Sequence, residues 1–120
     1  MAVAKVLVVD DSPAELENIR LMVAATGRTV LVATSGHEAV VLATSEQPDL
    51  IFLDIVMDDM DGYGACQAIR ENPDTSHIPV VMVSSKNQRF DRIWADRHGA
   101  HGVISKPYTA QEIAAELERY

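Results

Sequence analysis

Short apolar runs alternate along this chain with longer stretches in which apolar residues recur every three or four positions, and that rhythm predicts an α/β fold. Positions 6–9 and 50–53 are unbroken apolar runs, as strands buried on both faces of a parallel sheet are, and 29–33, 78–83 and 102–105 read as the remaining strands. Between them, Leu16, Ile19, Met22 and Val23 share a helical face that Gly27 closes. Capping boxes open three helices: Ser12-Pro13-Ala14-Glu15, with proline at the first helical position, Ser35-Gly36-His37-Glu38, and Thr109-Ala110-Gln111-Glu112. The second helix runs through about Ser45 and the last to Tyr120. Asp61 and Gly62 precede a further helix, predicted to bury Tyr63, Cys66 and Ile69 and to give way at Asn72-Pro73. Phe90, Ile93 and Trp94 give the remaining helix, over 87–98, an apolar stripe.

Strands and helices in strict alternation, joined by right-handed crossovers, predict a parallel sheet with helices on both faces. The pattern alone leaves the strand order open. It does put every strand's carboxyl end on one edge, where open α/β sheets bind their ligands. Asp10, Asp11, Asp54, Ser84 and Lys106, distant in sequence, are thereby expected to converge.

At 120 residues and 48% hydrophobic, the chain suits one domain, 1–120, around a single core. Its net charge of −8 offers no basic stripe for phosphates, which argues against direct nucleic-acid binding. Cys66 is the only cysteine, so no intrachain disulfide can form and a reducing compartment is expected. No stretch approaches the roughly 18 to 20 apolar residues of a membrane span, and positions 1–5 are too short for a signal peptide. The expectation is a cytoplasmic protein without membrane insertion.

The stretch Pro48-Asp49-Leu50-Ile51-Phe52-Leu53-Asp54 reads as a central strand ending on a carboxylate. Taken singly, Asp54 could cap a loop, Asp10 and Asp11 a helix, Ser84 could belong to a turn and Lys106 to solvent. Their joint position at strand ends is what points to chemistry. Three clustered carboxylates raise one another's pKa unless a hard divalent cation sits among them, and Mg²⁺ is the economical choice. With Asp10 and Asp11 neutralised, Asp54 is free to attack a phosphoryl group. Lys106 and Ser84 then supply the fixed cation and the donor that the transferred oxygens need.

Two other chemistries fit less well. A metal-dependent aspartyl-phosphate phosphatase would want an acid two residues after the nucleophile, where this chain has Val56. A flavin carrier would need a phosphate loop after the first strand, where Asp10 and Asp11 would repel the flavin phosphate.

Val6-Leu7-Val8-Val9-Asp10-Asp11-Ser12, the stretch from Pro48 through Asp54 to Ile55-Val56-Met57, Asp61-Gly62, Val83-Ser84 and Lys106-Pro107 together resemble the receiver domains of bacterial two-component response regulators. The resemblance covers essentially the whole chain. It implies a flavodoxin-like, doubly wound sheet of order 2-1-3-4-5 with Asp54 as phosphoacceptor. It implies Mg²⁺ held by Asp11, Asp54 and the Val56 carbonyl, with Asp10 helping directly or through water. A sensor histidine kinase or phosphotransfer domain is the implied donor. A downstream protein is expected on the helix from Asn87 to His98, the last strand and the terminal helix. Ser85-Lys86-Asn87-Gln88, Asp91, Trp94, Arg97 and Gly99-Ala100 are similar to small chemotaxis-like and twitching-motility receivers.

Two positions depart from the family pattern. Asp58 stands where proline is usual, removing a φ lock from the loop after Asp54. Val103 stands where many relatives carry a switching tyrosine or phenylalanine, so an aromatic flip cannot be the switch and the loop over 85–88 must take up the change. Trp94 then either anchors the core or shifts with its helix. Either the chain is a stand-alone regulator or an effector domain belongs with it.

Overall fold

The computed structural model describes residues 2–58, 60–85 and 88–120, with no side chain described for 88–90. Its elements are β1 (Lys5–Val9), α1 (Pro13–Ala24), β2 (Thr29–Ala33), α2 (Gly36–Glu46), β3 (Leu50–Asp54), α3 (Gly62–Glu71), β4 (Val80–Ser84), α4 (Gln88–Arg97), β5 (Gly102–Ser105) and α5 (Ala110–Arg119). The strands form one parallel sheet of order β2-β1-β3-β4-β5, the flavodoxin-like arrangement expected.

Alternate side chains along each strand feed two cores. Leu7, Val9, Ile51, Leu53, Val80 and Met82 meet Ala39 and Ala43 of α2 and Ala65, Cys66 and Ile69 of α3. Val6, Val8, Leu50, Phe52, Val81 and Val83 meet Leu16, Ile19 and Val23 of α1 and Ile113 and Leu117 of α5. Because both faces are covered, β3 and β4 are buried at every position, which is why their sequences are unbroken apolar runs.

Helix starts follow the capping chemistry. The backbone N–H groups of Glu15, Glu38 and Glu112 donate to Ser12, Ser35 and Thr109, and that of Gly64 donates to the Asp61 carboxylate at 2.8 Å. At Gly62 any Cβ would collide with the Asp54 carbonyl oxygen and the Ile55 Cα. Glycine there lets α3 begin directly against the end of β3, with its N–H donating to the Ile55 carbonyl at 2.8 Å.

Two expectations change and one open reading is settled. Tyr63 is half-buried, because its ring lies between α3 and α4 and its hydroxyl reaches a polar partner. Ile78 is buried but precedes β4: Pro79 has no N–H, so the ladder begins at Val80. On α4, Ile93 and Trp94 face outward, 53% and 37% exposed, so of the two readings open for Trp94 the core anchor is excluded. The helix meets the sheet through Ala95, whose small side chain permits close approach, and Trp94 lies about 100° round the helix from it. Lys86, Asn87 and the side chains of Gln88 and Phe90, named above, lie outside what is described.

Candidate functional site

Strand register explains how distant residues meet. Val9 pairs with Leu53 across β1 and β3, so Asp10 and Asp54, each one position further on, stand side by side. Asp54 pairs with Val83 of β4, and Ser84 pairs with Ser105 of β5. Lys106 follows directly, its N–H donating to the Ser84 carbonyl at 2.7 Å. The Lys106–Pro107 peptide is cis.

The Asp10, Asp11 and Asp54 carboxylates form one cluster, with a ligand atom of each within 4.8 Å of the others. Asp10 and Asp54 are buried and Asp11 is exposed. Oδ1 of Asp10 accepts from the Ser12 N–H at 2.9 Å, and Oδ2 of Asp11 accepts from the Asp58 N–H at 3.3 Å. The Lys106 ammonium lies 3.0 Å from Asp10, 3.2 Å from Asp54 and 2.8 Å from Glu15.

Burial pushes the Asp54 carboxyl up to about 6, and the charge of Asp10 adds to this, while Lys106 pulls the other way without cancelling it. Asp54 is thus a carboxylate held in the protein at a cost. For Lys106, burial lowers the pKa, but hydrogen bonds to Glu15 and Asp10 and the charges of Asp54 and Asp10 outweigh it. The net shift is upward, so the ammonium stays charged.

Ser84 is buried at the end of β4. Its hydroxyl donates to Oδ2 of Asp91 on α4 rather than into the acidic cluster, and the Tyr63 hydroxyl donates to Oδ1 of the same carboxylate at 2.9 Å. Val56 occupies the loop two positions beyond Asp54 and is 53% exposed.

A family model for the response regulator receiver domain matches residues 6–118. This chain belongs to that family. Protein PilH of Pseudomonas aeruginosa is 39% identical over 110 residues, covering 92% of this chain and 91% of PilH. Other curated relatives are longer, and the chain spans 43% and 45% of two probable transcriptional regulators that it matches. The chemotaxis protein CheY4 of Vibrio cholerae superposes with a TM-score of 0.91 at 27% identity, over 98% of both chains. The receiver domain of a sensor histidine kinase from Pseudomonas aeruginosa gives a TM-score of 0.91 at 25% identity, over 98% of this chain and 97% of that one. That structure was solved with a magnesium ion coordinated in its active-site cleft.

The receiver is therefore a module of two-component phosphorelay signalling, phosphorylated by a histidine kinase. Its donor set fits a hard divalent cation, since three carboxylates within reach of one another offer only hard oxygen atoms and no thiolate or imidazole. Lys106 offsets part of their charge and leaves the cluster net negative.

Two residues of the site escaped the sequence reading. Glu15 stands three residues after the cap in its capping box, yet its carboxylate goes to Lys106 and leaves the Ser12 N–H to Asp10. That Lys106 takes a third acid is visible only once the loop after β5 and the first turn of α1 meet at the carboxyl edge of the sheet. Asp91 resembled an ordinary first-turn helical acid.

Proposed function

We propose that the receiver accepts its phosphoryl group on Asp54, with Asp10, Asp11, Asp54 and the Val56 carbonyl as the Mg²⁺ ligands. The observation that carries this is the Asp54 carboxylate itself: buried at a strand end, clustered with Asp10 and Asp11, and 3.2 Å from the Lys106 ammonium. When bound, Mg²⁺ supplies positive charge to the acids and to the phosphoryl oxygens. Asp54 provides the attacking oxygen. Lys106, already 3.2 Å from that carboxylate, remains charged and meets the developing negative charge. Ser84 is the neutral donor that reads the product. A single receiver domain over 1–120 that catalyses only its own phosphorylation and dephosphorylation fits these parts, because Val56 provides no acid or base for outside substrates.

For output, the reading favours α4, β5 and α5 as the face that a downstream protein takes. A cleft of about 530 Å³ opens there, lined by Asp96, Val103, Glu112 and Glu116 among others. Among the described residues no helix is long and apolar enough to cross a membrane. With one buried free thiol, whose pKa burial raises, a reducing cytoplasmic setting suits the molecule.

Borohydride trapping tests the acceptor. After incubation with acetyl phosphate and Mg²⁺, reduction of an aspartyl phosphate converts that residue to homoserine, locatable by peptide mapping. Conversion at position 54 is the expected result, and conversion elsewhere would overturn the assignment.

A further inference from the structure

Asp91 is the one carboxylate on α4 that two hydroxyls from other elements engage at once, among the described residues. Ser84 comes from the end of β4, one strand away from Asp54, and Tyr63 from the first turn of α3. Ser84 is almost wholly enclosed and Asp91 half-buried, so the hydrogen bond between them is partly sheltered from water. Burial and the Asp91 contact raise the Tyr63 pKa, which keeps that hydroxyl a donor.

A serine hydroxyl has one proton to give. A phosphoryl group on Asp54 offers only acceptor oxygens, and the Asp91 carboxylate likewise only accepts. The same proton cannot satisfy both. We propose that Asp91 is a positioning residue that holds the Ser84 hydroxyl away from the phosphoryl site, so that reading the phosphoryl group requires breaking the Ser84–Asp91 bond and releases α4 from β4. This rests on Asp54 as acceptor and Ser84 as its reader.

Local packing makes the release consequential. Ala95 is the buried side chain that α4 brings to the core among its described residues, while Ile93 and Trp94 face outward. Val103, on β5 beside it, is too small and too stiff at χ1 to follow Ser84 as an aromatic ring would. Tyr63 stays linked to the helix through its ring, 5.1 Å from that of His98, which itself lies 5.8 Å from the Trp94 ring. Motion of the first turn of α4 is thereby passed to Trp94, near its last turn.

The affinity of the protein for beryllofluoride with Mg²⁺, where beryllofluoride stands in for the phosphoryl group, tests the idea when measured by calorimetry. Removing a charge-assisted competitor for the serine proton should tighten binding about tenfold in Asp91→Ala. In a Ser84→Ala background the same substitution should change affinity less than about twofold, since no proton is left to contest. A purely structural role would shift both backgrounds alike. Asp91→Asn keeps the shape and one acceptor oxygen, should shift affinity the same way by about threefold, and serves if Asp91→Ala does not fold. Unchanged affinity in the Asp91 variants, or equal tightening with and without Ser84, overturns the proposal. Absence of binding in the unaltered protein, or binding that survives Asp54→Asn, overturns the underlying acceptor assignment instead.

Discussion

β3 and α4 lie at opposite extremes of anchoring. Leu50, Ile51, Phe52 and Leu53 are fully enclosed, and β3 is hydrogen-bonded to β1 on one side and β4 on the other. Along α4, by contrast, Ala95 touches the core, two large apolar side chains face outward, and the Asp91 carboxylate ties the first turn to two hydroxyls. Apolar burial is not undone by one added charge, whereas hydrogen bonds to a carboxylate can be. The receiver thus sets its acceptor on the element least able to move and its reporting helix on a contact that a phosphoryl group can contest. Local stability should follow the same gradient, with α4 opening well before β3.

The contrast can be broken or sharpened by substitution. Phe52→Ala should cost about 3–5 kcal/mol in urea unfolding, as a fully enclosed aromatic leaves a cavity between sheet and helices. Asp54→Asn should go the other way. With a pKa raised from 3.8 to about 6, folded Asp54 holds its proton more tightly than the unfolded chain does. Stability from this group is therefore lost as pH rises from about 4 to 6, and the full penalty, about 3 kcal/mol, stands above that window. Metal-free Asp54→Asn should be more stable than the unaltered protein at pH 7 by up to that amount and level with it near pH 3.5, as thermal unfolding across pH would show.

Glu15→Gln should alter stability by less than about 1 kcal/mol, because Glu15 is half exposed and Lys106 keeps Asp10 and Asp54 as partners. Unfolding at low and high salt is the check, with the difference shrinking as salt rises. Ile93→Ser should fall within about 0.5 kcal/mol, the range of an ordinary surface change. A loss above 2 kcal/mol would mean that α4 is anchored as firmly as β3.

Much of this was legible in the sequence because the fold and site depend on local signals. Apolar runs of strand length, three capping boxes and Asp61-Gly62 placed the elements nearly at their observed bounds, and strand-end residues were grouped by topology without knowledge of strand order. What the sequence hid was pairing between residues far apart. Glu15 meets Lys106 across 91 positions, and nothing in a capping box announces that second use. Trp94 was open between two readings because periodicity locates an apolar stripe but not what covers it. At this helix alanine meets the core while tryptophan does not. Asp91 and Ser84 are only seven positions apart, yet their bond depends on how the helix is set against the end of β4.

Intact-mass measurement after incubation with acetyl phosphate and Mg²⁺, on the unaltered receiver and on Asp54→Asn, bears most directly on the acceptor. The account predicts a single addition, labile at alkaline pH and cleaved by hydroxylamine, present on the unaltered protein and missing from Asp54→Asn. An addition of equal extent on Asp54→Asn would contradict it.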